Sequence, residues 1–173
     1  MIHSLRGLHP RVPASAFVAP NAVIVGDVAL GEASSVWYGA VVRGDAGPIR
    51  VGGRTNIQDF CMLHATTGRS GVTIGDEVTV GHRVIVHGAI VRDRCLLGMG
   101  SILLDDCDIG EESLVAAGAV VLEGLKVPPR SFVAGIPASI RGPIPSHALA
   151  RLRASADAYV ELALEHAGLH REP

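Results

Sequence analysis

The chain carries an aliphatic residue at every sixth position over most of its length. The series runs from Val18 to Val133, interrupted by a three-residue insertion after Val42, a loop after Leu63 and a five-residue step after Val86. A period of six fits neither a helix nor a strand meander. It is typical of short strands joined by turns in a triangular coil of three hexads, so an all-β, parallel β-helix fold is predicted. The repeating residues are Val18, Ile24, Leu30, Val36, Val42, Val51, Ile57, Leu63, Ile74, Val80, Val86, Val91, Leu97, Leu103, Ile109, Val115, Val121, Val127 and Val133.

A second inward position follows four residues after many of these aliphatic residues, and its side chains are small or β-branched. All three cysteines of the chain, Cys61, Cys95 and Cys107, occupy it. They form neither an even set nor a C-x-x-C pair, which argues against a disulfide framework and a cysteine zinc site. We expect them to be small buried core residues.

The hexads end near the C-terminus, where the composition shifts to Ala, Leu, Arg and Glu. The predicted organisation is a β-helix over residues 1–142, with repeats from about 18 to 138, followed by a helix and tail over 143–173. Ser146 suits a helix cap, and apolar residues then recur at helical spacing. We expect this helix to pack along the prism or against a neighbouring chain. The apolar positions are Leu149, Leu152, Ala156, Tyr159, Val160 and Ala163.

Composition narrows the choice of function. The 173 residues suit one domain, and 48% are hydrophobic but only 3% aromatic, so the core must consist mostly of aliphatic side chains. Fifteen Lys and Arg against 17 Asp and Glu, with no basic run, do not favour nucleic acid as a partner. Apolar stretches are too short to cross a membrane, and the N-terminal residues lack the apolar core of a signal peptide. We expect a cytoplasmic protein.

Two histidines fall in one outward column of the predicted coil. Numbering the faces from Val18, the residue after each aliphatic position on face two runs Val25, Arg43, His64, His87, Leu104, Leu122. His64 and His87 are then about 4.8 Å apart on adjacent coils and could share a metal. His82 lies on face one near the corner, where it could serve a metal of an adjacent subunit if three prisms pack around a threefold axis. We expect the apolar members of the column, with Trp37 on face one, to be buried against another chain.

Three imidazoles with a fourth position open to water are the ligand set of a catalytic zinc site. A divalent ion there supplies hydroxide at neutral pH, which attacks an electrophilic carbon. Arg43, Asp45, Gln58 and Asp59 fall near the same columns. They could orient the ligands and water, or they could form an intersubunit salt bridge from Arg43 to Asp45 or Asp59.

These residues carry a family likeness. The run 42–45 (Val-Arg-Gly-Asp), the run 56–59 (Asn-Ile-Gln-Asp), His64, and the Gly81–His82 and His87–Gly88 pairs closely resemble gamma-class carbonic anhydrases. The resemblance implies a left-handed winding, a homotrimer with three metal sites at its interfaces, and hydration of carbon dioxide to bicarbonate by a metal-bound hydroxide. By position, the resemblance implies that the metal ligands are His64, His82 and His87, and that Gln58 positions the hydroxide or the substrate. It also implies that Arg43 and Asp45 link subunits, with Arg43 reaching bicarbonate. Asn56 and Asp59 would be supporting polar groups.

The sequence departs from the family pattern in its proton-transfer groups. The archetypal enzymes carry acidic residues directly after the position of Asp45 and in the loop after His64. Here these places hold Ala46 and the segment 65–71, which has no carboxylate. Weak or absent activity is therefore left open, and Tyr159 or Asp59 is a hypothetical proton relay.

Three other functions stay open from the residues. A hexapeptide-repeat acyltransferase would use one histidine as a base and bind coenzyme A between prisms. A metal-dependent thioester hydrolase would use the same three histidines. A non-catalytic trimeric scaffold would hold the metal only as a staple. The expected metal is zinc, with Fe2+ or Co2+ as alternatives, because imidazole suits each.

Overall fold

The computed structural model describes residues 1–169, which form a left-handed parallel β-helix of about seven turns and one C-terminal helix. The predicted residues 170–173 of the tail lie outside the described part. The strands are β1 (Ile2–His3), β2 (Phe17–Val18), β3 (Val23–Leu30), β4 (Ser35–Val36), β5 (Val41–Val51), β6 (Asn56–Ile57), β7 (Met62–His64), β8 (Val72–Ile74), β9 (Thr79–Val80), β10 (Ile85–His87), β11 (Ile90–Val91), β12 (Leu96–Leu97), β13 (Ile102–Leu103), β14 (Asp108–Ile109), β15 (Leu114–Val115), β16 (Val120–Val121), β17 (Lys126–Val127), β18 (Ser131–Gly135) and β19 (Ala138–Pro143). The helix α1 spans Ser146–Leu169.

The strands stack in the three faces that the six-residue register predicts. Face one consists of β2, β4, β6, β9, β12, β15 and β18 in parallel. Face two runs through β3, β5, β7, β10, β13 and β16, and face three through the second half of β5, then β8, β11, β14 and β17. Aliphatic residues pair with aliphatic residues across the coils, as in Val86 with Leu103. The register is therefore set by burial of the repeating side chains.

The interior of the prism consists of the two inward positions of each hexad. Most repeating aliphatic residues are fully buried, among them Ile24, Ile57 and Leu103. The three cysteines are free thiols and at most 1% exposed, so the prediction that they belong to the core is confirmed.

Additional strands close both ends of the coil. At one end, β1 pairs in parallel with β3. At the other end, β19 folds back antiparallel on β18. Pairing at the ends covers part of the open strand edges, which would otherwise be sites of aggregation.

Helix α1 lies along face one of its own prism, where it contacts β2, β4, β6 and β9. Its buried residues are Ala148, Leu152, Ala156 and Ala163, so the first of the two predicted packing modes is the one observed. Trp37, which we predicted as an anchor for another chain, is only 5% exposed under this helix. Its ring contacts Tyr159 and His166, because the helix of the same chain covers the outward side of face one. None of the helices in residues 1–169 is long and apolar enough to cross a membrane.

Charged side chains stack along one corner of the prism. Arg94, Glu112 and Arg130 all have left-handed backbone there. The Glu112 carboxylate is 9% exposed and accepts a hydrogen bond from Arg130 Nε at 2.6 Å and another from Arg153 of α1 at 3.3 Å. This carboxylate therefore connects the helix to the corner.

Candidate metal centre

His64 and His87 lie side by side on face two, as the outward column predicts. They end β7 and β10, which are adjacent parallel strands with His64 and His87 in register. Nδ1 of His64 is 3.2 Å from Nε2 of His87, and the two side chains are 18% and 29% exposed. The rings therefore project together from the prism and remain partly accessible.

A carboxylate holds the far side of each ring. Asp45 Oδ1 is 3.0 Å from His64 Nε2, and Asp105 Oδ1 is 3.0 Å from His87 Nδ1. The contacts form a row from Asp45 through both imidazoles to Asp105. Each of the three contacts needs one hydrogen, whereas two neutral imidazoles carry only two. The row thus has room for one more positive charge, either a proton or a cation bound by the facing nitrogen atoms.

The spacing of the two rings fits a metal ion. Two nitrogen ligands of a tetrahedral zinc ion at about 2.05 Å are separated by about 3.3 Å, the edge of the tetrahedron. The facing nitrogens of His64 and His87 are 3.2 Å apart. Backing of a histidine by a carboxylate is also the usual support of a metal ligand, since it orients the ring and raises its basicity. The donor set is therefore compatible with two ligands of one metal.

His82 lies in the turn after β9, at the edge of face one, and not beside the other two histidines. Its Nδ1 is 2.9 Å from Asp59 Oδ2, and its side chain is 43% exposed. Within residues 1–169 of a single chain, no group of three His, Cys, Asp or Glu side chains could hold a metal. One chain thus presents a pair of imidazoles on face two and a single imidazole at the edge of face one.

The predicted polar residues of face one are linked under the helix. Gln58 Nε2 donates to Asn56 Oδ1 at 3.0 Å, and Asn56 Nδ2 donates to Thr79 Oγ1 at 3.1 Å. The Thr79 hydroxyl then donates to Ser155 of α1 at 2.9 Å. Gln58 and His82 also line a groove of about 470 Å3 between α1 and face one. Gln58 is thus placed beside His82 and is held by Asn56, and both residues lie on face one, whereas the histidine pair lies on face two.

Arg43 and Asp45 lie on face two beside His64. Arg43 forms an ion pair with Asp45 within the chain. Burial raises the pKa of Asp45, but hydrogen bonds from Arg43 and His64 outweigh this effect, so the pKa lies below its ordinary value. Asp45 is therefore an ionised acceptor at neutral pH.

Tyr159 lies on α1 over face one. Its ring packs edge-on against Trp37, with centroids 5.3 Å apart. Burial raises the pKa of the phenol, and the nearby charge of Asp59 raises it further. In the same chain, Tyr159 is thus associated with the Asp59 side of the prism and not with His64 and His87.

Asp105 is the residue of this centre that sequence reasoning missed. It was overlooked because the step of five residues between Val86 and Val91 changes the offset between coils. A signal was present, since Val86 pairs with Leu103 and Gly88 therefore lies opposite Asp105.

The segment 65–71 has no carboxylate of its own, but Asp105, Asp106 and Glu123 from the following coils face it, and Arg69 forms ion pairs with all three.

Comparison with known proteins identifies relatives of this chain. Residues 71–105 match the hexapeptide repeat of succinyl-transferase. The chain is 42% identical over 140 residues to a carbonic anhydrase of Geobacillus kaustophilus, covering 81% of this chain and 76% of the relative. It is 40% identical over 169 residues to the mitochondrial gamma carbonic anhydrase 1 of Arabidopsis thaliana, covering 95% of this chain and 62% of the relative. The chain thus spans about three fifths of the length of such plant relatives.

A solved structure also matches nearly the whole chain. A crystal structure of a Bacillus cereus protein described as an acetyltransferase superposes with a TM-score of 0.95 at 37% identity and covers 97% of both chains. Proteins similar to this chain are thus described both as carbonic anhydrases and as an acetyltransferase. Because fold does not determine function, the site itself must decide between them.

Proposed function

Because the chain belongs to the gamma-class carbonic anhydrase family, we propose that it is a subunit of a homotrimer that hydrates carbon dioxide to bicarbonate. The metal centre would lie between subunits, with His64 and His87 of one subunit and His82 of the next as its ligands. Zinc is the proposed metal, with Fe2+ or Co2+ as alternatives. The cytoplasmic location expected from the sequence stays a prediction.

One observation carries the proposal. Each of the three histidines has a carboxylate on one ring nitrogen at 2.9–3.0 Å: Asp45 for His64, Asp59 for His82 and Asp105 for His87. An acyltransferase needs only one oriented histidine as its general base, whereas a metal site needs several oriented histidines as ligands. Three histidines supported in the same way favour a metal centre over the acyltransferase alternative.

The chain leaves an apolar surface beside the histidine pair. On face two, Ile85 is 37% and Leu122 is 48% exposed. A second copy of this chain would cover these residues, and a threefold arrangement would bring the face-one edge of one subunit, with His82, to the pair on the next. Burial of this apolar surface and completion of the three-histidine ligand set thus both require three subunits around a threefold axis.

The remaining residues have defined tasks in this proposal. A divalent ion held by these histidines would supply the nucleophile, because coordination lowers the pKa of water toward neutrality. Gln58, held by Asn56, would orient the nucleophile or the substrate with its amide group. The ion pair of Arg43 with Asp45 fixes the guanidinium near His64, where its N–H groups can reach the anionic product.

The experiment measures metal per subunit, oligomeric mass and carbon dioxide hydration on one preparation purified without chelator. His87→Ala is the test variant, and His147→Ala is its matched control, because His147 is exposed at the start of α1. We expect about one metal per subunit in a trimer and a hydration rate that His87→Ala abolishes and His147→Ala leaves unchanged.

Other results overturn the proposal in different ways. A metal-loaded trimer without hydration would refute the activity and direct attention to thioester hydrolysis or a structural staple. A protein that binds no metal would refute the three-histidine site, and acyl transfer from coenzyme A thioesters would then be assayed on the same sample.

A further inference from the structure

Asp105 is a buried carboxylate directly above His87 in the coil. It follows β13, is 5% exposed, and lies one turn of the coil after the Gly88 position. Its Oδ1 is 3.0 Å from His87 Nδ1. Within residues 1–169, no other side chain forms a hydrogen bond or an ion pair with that ring nitrogen.

The backbone next to His87 leaves the room that this contact needs. Gly88 has a φ of +58°, and a Cβ at this position would lie 1.9 Å from Asp105 Oδ1. Any side chain at position 88 would therefore displace the carboxylate and strain the backbone. The contact of Asp105 with His87 therefore requires glycine at position 88.

The segment 65–71 holds the other oxygen of the same carboxylate. Thr66 Oγ1 donates to Asp105 Oδ2 at 2.9 Å, and Arg69 Nη1 lies 3.4 Å from the same oxygen. Arg69 is itself held by Asp106 at 2.5 Å. Thr66 and Arg69 donate to Oδ2, while Oδ1 faces His87 Nδ1. The carboxylate therefore has partners on both oxygens and cannot rotate without losing one of them.

We propose that Asp105 is a positioning residue that sets the ring orientation and tautomer of His87, and that Thr66 and Arg69 of the segment 65–71 act through it. With Nδ1–H donated to Asp105, the lone pair of Nε2 points toward His64. The importance of this orientation for metal binding rests on the proposed function. The segment then serves in this chain to position a metal ligand through the two donors that it supplies to Asp105.

Asp105→Asn is the sharpest test because it preserves shape and changes one oxygen to a donor. Arg69 cannot accept a hydrogen bond, so the new amide nitrogen is driven toward His87 Nδ1, which must then become the acceptor. The hydrogen moves to Nε2 and blocks the nitrogen that faces His64. Asp108→Asn is the matched control, since Asp108 follows three residues later and its carboxylate pairs with Arg92 and not with His87 or Arg69.

Two measurements are made on the wild type and both variants. Nitrogen-15 NMR of histidine-labelled, metal-free protein in alkaline buffer reports the His87 tautomer, and competition with a chromophoric chelator reports Zn2+ affinity. We expect Nδ1–H in the wild type and in Asp108→Asn, and Nε2–H in Asp105→Asn with a loss of Zn2+ affinity of about 10- to 100-fold. Asp105→Asn with the wild-type tautomer and affinity would overturn the proposal.

The outcomes separate this inference from the proposed function. If the wild type binds no Zn2+, the proposed function fails, and the tautomer comparison alone decides the role of Asp105. If Asp105→Asn does not assemble, Thr66→Val replaces it, since it removes one donor from Oδ2 with little change in shape. A loss of about fivefold in Zn2+ affinity is expected there, and an unchanged affinity and His87 tautomer would refute the inference.

Discussion

Nδ1 of His64 and Nε2 of His87 face each other at 3.2 Å although the residues are 23 positions apart in the chain. The contact exists because β7 and β10 are parallel neighbours and pair these two residues. One full coil, enlarged by the segment 65–71, separates them. Their position side by side is thus a consequence of the repeat, whereas the carboxylates of Asp45 and Asp105 hold the orientation of the two rings.

Mixed trimers provide a direct test of whether the centre is shared between subunits. His82→Ala retains the pair on face two, and His87→Ala retains His82, so an interface that combines them in the correct order has all three ligands. Each variant alone should bind no catalytic metal. After equimolar mixing, unfolding and reassembly, about a quarter of the sites should be complete. Metal content and hydration rate measure this fraction.

The control for this mixture is a second one, of His64→Ala with His87→Ala. Both changes affect the same half of the centre, so no interface regains all three histidines. Recovery in this mixture, or no recovery in the first, would contradict a centre built from two ligands of one chain and one of the next.

Glu112 predicts a pH-dependent contribution to stability. The hydrogen bond from Arg130 lowers the pKa of its carboxyl; burial opposes this shift, and the hydrogen bond from Arg153 adds to it. The pKa is lower in the folded than in the unfolded chain, so the stabilisation is present above the unfolded pKa, near 4.3, and is lost as the pH falls through the folded value. We expect Glu112→Gln to reduce the free energy of unfolding at neutral pH by about 1 kcal/mol, since the arginine partners are largely exposed.

Urea unfolding at equal subunit concentration, at pH 7 and about pH 3, measures the difference. The gap between wild type and Glu112→Gln should narrow at the lower pH. Glu161→Gln, at an exposed position of α1, serves as the control and should match the wild type at both values. A gap of unchanged size in acid would mean that the loss comes from packing and not from the charge.

The three cysteines should be unreactive in the folded protein. Burial raises the pKa of Cys61, Cys95 and Cys107 to about 12, and the thiolate is the reactive form. With a disulfide reagent at about pH 8, we expect no labelling of the native protein and three thiols per subunit after denaturation. Labelling of the native protein at the rate of free cysteine would show that the prism opens locally.

Tyr159→Phe tests the predicted proton relay. Loss of the hydroxyl removes a relay group but keeps the ring on Trp37. If Tyr159 passes protons, the hydration rate should fall in weak buffer and recover in concentrated buffer, because buffer then carries the product proton. Metal content should not change. Equal rates for the variant and the wild type at both buffer concentrations would exclude a relay role and leave a role in packing.

The six-residue pattern was sufficient to predict the coil and the outward column. Burying Val42, Leu63 and Val86 on one face leaves the residue after each on the outside, so Arg43, His64 and His87 had to align. A slip of one residue would expose the aliphatic series, which is why the register follows from the sequence. The same reasoning placed the cysteines inside.

The pattern was not sufficient for the surface of face one. An apolar stripe on α1 specifies which side of the helix is buried, but not which chain it is buried against. Trp37 was therefore predicted as an intersubunit anchor, whereas it packs under Tyr159 and His166 of its own chain.

The sequence by itself determined the coil, the buried aliphatic positions and the alignment of His64 with His87, because hydrophobic burial with a fixed period is a local and cumulative property of the chain. Only the tertiary structure decided which carboxylate supports which ring. The contact of Asp105 with His87 depends on a shortened step, on the space left by Gly88 and on donors from the segment 65–71. Hydrogen bonds require their atoms within a few tenths of an ångström, and an offset along the sequence does not define positions so closely.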